Sequence, residues 1–183
     1  MRFAATRSLA FLVAATATVC SASEPAAELT REVVLLQGRM AIGGPLLAEL
    51  REARVRISAL GRLASRDVAG LVGAIAAAQD GLSAWTHPDC AAARATARGR
   101  GSYGPDDRRS LDSAKTCEWQ LRPAFGAAGL PTPSAEALLA GADLKPLLNA
   151  VSRRSEEFLQ AFDLRDTAGS ATHRAAVMME FSP

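Results

Sequence analysis

Between residues 46 and 64 the apolar positions fall at Leu46, Leu50, Ala53, Ile57, Leu60 and Ala64, in alternating steps of four and three. That spacing follows a helical turn and predicts a helix with one apolar seam. Arg51, Arg54 and Arg62 lie largely off the seam, and Glu52 with Arg56 makes a favourable pair one turn apart. The same rhythm recurs at Leu71, Ile75, Ala78, Leu82 and Trp85, at Leu111, Ala114, Cys117 and Leu121, and at Leu144, Leu148, Val151, Phe158 and Phe162. Val33, Leu36 and Met40 share a face on a helix expected to run from about Pro25 to Ile42. No segment alternates with period two, and Ala, Leu, Arg and Glu, all good helix formers, dominate. The chain reads as all-α.

Breakers divide these helices. Gly43-Gly44-Pro45 ends or kinks the first. Ser65 is expected to cap the helix that carries Leu71, with Asp67 in its first turn. That helix stops before Pro88, which pushes His87 away from helical geometry. A short helix fits from Asp89 to about Arg98. A loop with Gly99, Gly101, Gly104 and Pro105 follows, and Asp106 or Asp107 caps the next helix, which ends around Pro123 or Phe125. Ser134 caps a short helix to Ala140, and Asp143 opens the last long one. Short connections favour antiparallel neighbours, so the expected architecture is an antiparallel bundle of four to five helices. Such seams could equally serve a dimer.

The N-terminus has a different character. Met1-Arg2 and Arg7 precede an apolar run over residues 9–15 and then the small residues of "TATVCSAS". That is the build of a secretory signal peptide, with cleavage after Ala22, or after Ser23; the apolar run is too short to span a membrane. A lipoprotein cysteine at Cys20 is the alternative, with Val19 larger than that processing favours. The domains expected are a signal peptide over 1–22, a helical domain over 23–166 and a flexible tail over 167–183, in a periplasmic or secreted protein. Losing 1–22 removes two of the 21 Lys and Arg and none of the 19 Asp and Glu, so the remaining charges balance. General binding to nucleic acid loses its support. It also removes Cys20 and leaves Cys90 and Cys117, which in an oxidising compartment are expected to form one disulfide.

Little in the sequence carries catalytic chemistry. There is no CxxCH, HExxH, GxSxG or strand-borne phosphate loop. His87 and His173 are too scattered to join the two cysteines in a metal site of familiar spacing, so no metal and no cofactor are expected. Met40, Met178 and Met179 read as core filling, and residues 167–183 could dock through Val177, Met178 and Phe181. The arginines offer more. Arg94, Arg98, Arg100, Arg108 and Arg109 crowd one loop, and with Trp85 and His87 they form a candidate interaction surface. A second candidate is a pocket between helices holding Arg39, Glu49, Arg51 and Arg54.

Two resemblances accompany these residues. Ala78-Gln79, Trp85, Cys90, Gly101-Ser102 and Cys117 sit at or near the places of a pattern in the small exported family that includes LprI-type lysozyme inhibitors. The stretch resembles that family over about forty residues. It departs at Leu82, where an aromatic is usual, at Thr86-His87, where Arg-Asp is usual, in the late second cysteine and in the missing N-terminal cysteines. The resemblance implies a disulfide-linked helix–loop–helix and an inhibitory protein partner, for which this balanced chain lacks an acidic surface. An arginine-lined pocket would in turn resemble the exported chorismate mutases, whose all-helical subunit also carries a disulfide. Lys115 is the first lysine here, a departure that transfers no catalytic residue. The expected function is thus an exported, non-enzymatic domain that binds a protein or cell-envelope component. The alternative is a small periplasmic enzyme or anion-binding bundle.

Overall fold

The computed structural model describes residues 9–42, 46–101, 104, 105 and 107–165, with side chains described between 24 and 162. The turn at 43–45, Ser102, Tyr103, Asp106 and the expected tail with His173, Val177, Met178, Met179 and Phe181 lie outside the described residues. So do the side chains of the expected leader, Cys20 included.

Helix α1 spans Leu9–Ile42, α2 Leu47–Leu63, α3 Ala69–Trp85, α4 Pro88–Ala97, α5 Arg108–Ala127, α6 Ala135–Leu139 and α7 Lys145–Arg165. All seven pack together, which corrects the expected bundle of four to five. The reason lies in the short elements. α4 buries Cys90 and Ala93, and α6 buries Ala135 and Leu138, so both are walls of the core rather than connections across it. α1 also begins well before Pro25, which falls inside the helix.

Two apolar clusters share α3 and α7. Leu29 and Val33 of α1, Leu50 and Ile57 of α2, Leu71 and Ile75 of α3 and Val151 and Leu159 of α7 fill one. Cys90, Cys117, Leu121, Phe125, Leu138 and Leu147 fill the other with Ala77 of α3, and Leu82 packs against both. α3 therefore buries two sides. Its second side is lined by small residues, and Gly81 is one of them: a Cβ there would come within 2.4 Å of Leu147 Cδ1. A smaller cluster of Ala93, Ala114 and Ala135 seats α4, α5 and α6 on one another.

The caps explain where the helices start. Asp107 Oδ1 accepts from Arg109 N at 2.8 Å and Ser134 Oγ accepts from Ala137 N at 3.2 Å, each satisfying an orphan first-turn donor. Before α3 the residue doing this is Asp67, whose Oδ1 accepts from Ala69 N at 2.9 Å, and not Ser65. Ser65 instead takes the left-handed conformation, φ 51°, as the chain reverses after α2. α5 runs through Pro123 to Ala127. A disulfide joins Cys90 of α4 to Cys117 of α5, both fully buried.

Candidate interaction surface

Pro88 opens α4, where its missing N–H costs nothing. His87 precedes it as the cap, Nδ1 accepting from Asp89 N at a long 3.4 Å. The disulfide at Cys90–Cys117 and the hydroxyl contact Thr96–Ser110 at 3.4 Å fix α4 antiparallel to α5. Gly101 then folds back on Thr96, where a Cβ would sit 2.6 Å from Oγ1. The α4–α5 hairpin is thus tied near both ends.

That geometry divides the residues singled out along the sequence. Trp85 and His87 lie at the disulfide end, and Arg98, Arg100, Arg108 and Arg109 at the other, with α4, roughly 15 Å of helix, between them. Arg94 stands in the last turn of α4, one turn before Arg98, but its side chain reaches back to Trp85. Arg94 is committed to structure. Its Nη2 donates to the Trp85 carbonyl at 3.0 Å, closing the end of α3, and its guanidinium lies 5.0 Å from the centroid of the Trp85 ring. Nε donates to the Cys90 carbonyl at 3.3 Å. Partial burial, and then the nearby charge of Arg98, hold its pKa below the ordinary arginine value. Trp85 is half-buried beneath it.

At the far end Arg98, Arg100, Arg108 and Arg109 are exposed. Among the described residues, Arg98, Arg100 and Arg108 form no ion pair. Asp107 beside them is occupied as the cap of α5. Three guanidinium groups with open forks suit carboxylate or phosphate oxygens.

The four residues of the second candidate do not converge on one pocket. Arg39 pairs with Glu49, and Glu49 Oε2 also accepts from Leu46 N at 3.0 Å, so this pair clasps α1 to the start of α2. Below it on the same groove Arg56 bridges Glu32 and Glu52, and Glu32 above all, by hydrogen bond and then by charge, raises the arginine's pKa. Arg51 is exposed. Arg54 turns to α3, where Nη1 donates to Gln79 Oε1 at 3.1 Å. Gln79 is 6% exposed, and its Nε2 has no partner among the described residues.

Reading the sequence for function passed over Trp119, which is 65% exposed on α5. The signal was present: Trp119 falls off the seam of Leu111, Ala114, Cys117 and Leu121, so helical periodicity puts it outside. Among the described residues no three of His, Cys, Asp and Glu are placed to hold a metal ion, and no helix is long and apolar enough to cross a membrane. No protein-family model, no curated protein and no solved structure matches this chain.

Proposed function

We propose that the protein is an exported, non-enzymatic helical domain that binds a protein or cell-envelope component, and that the arginine end of the α4–α5 hairpin is its contact surface. The carrying observation is the exposed set Arg98, Arg100 and Arg108 on a hairpin tied by a disulfide and a hydroxyl contact. A rigid support lowers the ordering cost of binding, and unpaired surface cations steer an anionic partner. Of the other charged candidates, Arg39 and Glu49 are spent on each other, Arg54 on Gln79 and Arg94 on Trp85, while Arg51 stays exposed on α2, away from the hairpin. The interior is packed with Leu, Ile, Val, Ala and Phe.

Export is supported by the N-terminal pattern and by Pro25. Within α1 a proline removes one helical hydrogen bond and crowds the preceding turn, at a cost of about 3 kcal/mol. With residues 1–22 removed, Pro25 falls in the first turn of the remaining helix, where proline is tolerated.

The test has two readouts. Intact mass of the secreted product should begin at Ser23 or Glu24 with both remaining thiols oxidised. The variant R98E/R100E/R108E should lose salt-sensitive association with an envelope fraction while keeping its thermal midpoint. A retained leader with free thiols refutes export, and association unchanged by charge reversal refutes the surface.

A further inference from the structure

A second surface lies at the opposite, disulfide end of the hairpin, where α3, the start of α4 and the later part of α5 enclose an open groove. Its polar lining comes from Asp80 and Ser83 of α3, Thr86, whose hydroxyl donates to the Ser83 carbonyl at 2.7 Å, His87, and Gln120 of α5. Among the described residues, the side chains of Asp80, Ser83 and Gln120 make no hydrogen bond. His87 Nδ1 lies 3.4 Å from both Asp89 N and Asp89 Oδ2, which leaves Nε2 as the ring's other polar atom, able to donate or accept. Together they give acceptors, donors and groups able to do either. The apolar lining is of prolines and alanines, Pro88 and Pro123 with Ala84 and Ala124. Trp119 stands one turn before Pro123 on the same ridge of α5, its indole exposed.

We propose that this groove binds a neutral glycan chain. A pyranose presents hydroxyls that both donate and accept around its edge and a patch of C–H groups on its face. The edge suits Ser83, Gln120, Asp80 and His87, and the face suits an exposed indole beside the apolar proline rings. The charge argues for a neutral ligand: the lining holds one carboxylate and no lysine or arginine, so an anion finds no counter-charge and a metal ion too few ligands. The open shape suits a polymer passing through rather than a small molecule enclosed. Trp119 and most of the lining residues belong to helices, His87 caps α4, and the nearby disulfide fixes how α4 sits on α5, so the surface is formed before ligand arrives. An open, largely hydrated site of this kind binds weakly, with a dissociation constant on the order of millimolar. The inference stands apart from the arginine end, which shares none of these residues.

The test is a titration of the full mature chain with tetrasaccharides of glucose, mannose and N-acetylglucosamine, followed by indole fluorescence and by two-dimensional amide NMR. One of them should saturate in the millimolar range and shift the Trp119 indole N–H together with Ser83 and Gln120. Trp119→Ala and Gln120→Ala should each weaken it by about tenfold, and both should melt as the unmodified protein does, since neither side chain is in the core. R98E/R100E/R108E should bind sugar as before, which keeps this outcome separate from that of the arginine surface. The proposal is overturned if no tetrasaccharide shifts these signals up to about 10 mM, a decade beyond the expected constant. Binding that maps elsewhere, or survives Trp119→Ala, overturns it too.

Discussion

Arg94 tests whether an arginine near the hairpin is structural or functional. Replacing it with alanine removes the Nη2 bond to the Trp85 carbonyl at 3.0 Å and the guanidinium 5.0 Å above the indole. A hydrogen bond from a charged donor is worth about 1.5–3 kcal/mol, and a partly exposed cation–π contact about 0.5–1 kcal/mol. The bond to Cys90 at 3.3 Å is long, and its acceptor lies one turn back in the same helix, so it adds little. Against these stands the cost of holding the cation half out of water beside Arg98, the two causes that lower its pKa. The net loss expected for Arg94→Ala is about 2 kcal/mol, or roughly 4–8 °C in the thermal midpoint of a chain this size. Arg94→Met keeps the packing of the stem and should recover part of it. Arg98→Ala removes an exposed cation without an ion pair among the described residues and should stay within about 0.5 kcal/mol of the parent. Urea unfolding of the oxidised proteins, read by tryptophan emission, measures all three. If Arg94→Ala and Arg98→Ala prove equally mild, the division of the hairpin into a structural and a binding end is wrong.

Other consequences follow from single contacts. Reducing the disulfide frees a loop spanning 27 positions, and the unfolded chain should gain entropy worth roughly 3–4 kcal/mol, read as the drop in urea midpoint with reductant. A Cβ at Gly61 would lie 2.5 Å from Cγ2 and 3.3 Å from Cβ of Val68, which a side-chain rotation cannot relieve. Gly61→Ala should therefore destabilise by about 1–2 kcal/mol despite its better helix propensity. In a Val68→Ala background the same change should turn neutral or stabilising, and a double-mutant cycle with coupling near zero would refute the contact. The Glu136 carboxyl is held below the ordinary glutamate range, first by its backbone N–H and then by the Ser134 hydroxyl. Its contribution is complete above the ordinary value and lost as pH falls through the lowered one. Glu136→Gln should flatten that part of the acid unfolding curve, and an unchanged curve would count against the bond.

The large apolar residues made most of this fold legible. Leu50 and Ile57 carry the α2 seam, and Leu71 and Ile75 the α3 seam, where periodicity placed them. Small residues hid the rest. Ala77 and Gly81 give α3 its second buried side, yet an alanine or a glycine marks no face, because either suits core or surface. Ala93 and Ala135 concealed in the same way that α4 and α6 are core elements, although Pro88 and Ser134 announced their starts. On α7, Leu147 and Leu159 are as buried as the predicted Val151, because the helix touches both clusters and its apolar face is wider than one seam. Sequence proximity also made the arginines look like one patch. One helical turn separates Arg94 from Arg98, yet the first turns back onto Trp85 and the second stays exposed, which makes them two different things.

Where the staple sits decides how the two surfaces respond to strain. Pro88 is two residues from Cys90, and Gln120 three from Cys117, so the groove draws a wall from each side of the disulfide. A shift of α4 along α5 would change its width directly. The arginine end has its own fastening in Thr96, Ser110 and the close seat of Gly101, which needs no sulfur. Two short ties at opposite ends of a ten-residue helix leave little freedom to slide. Each tie also spares its own surface the entropy of ordering on contact with ligand. Reductant should therefore weaken saccharide binding in the groove more than charge-dependent association at the arginine end, and equal loss at both would refute this division of the ties.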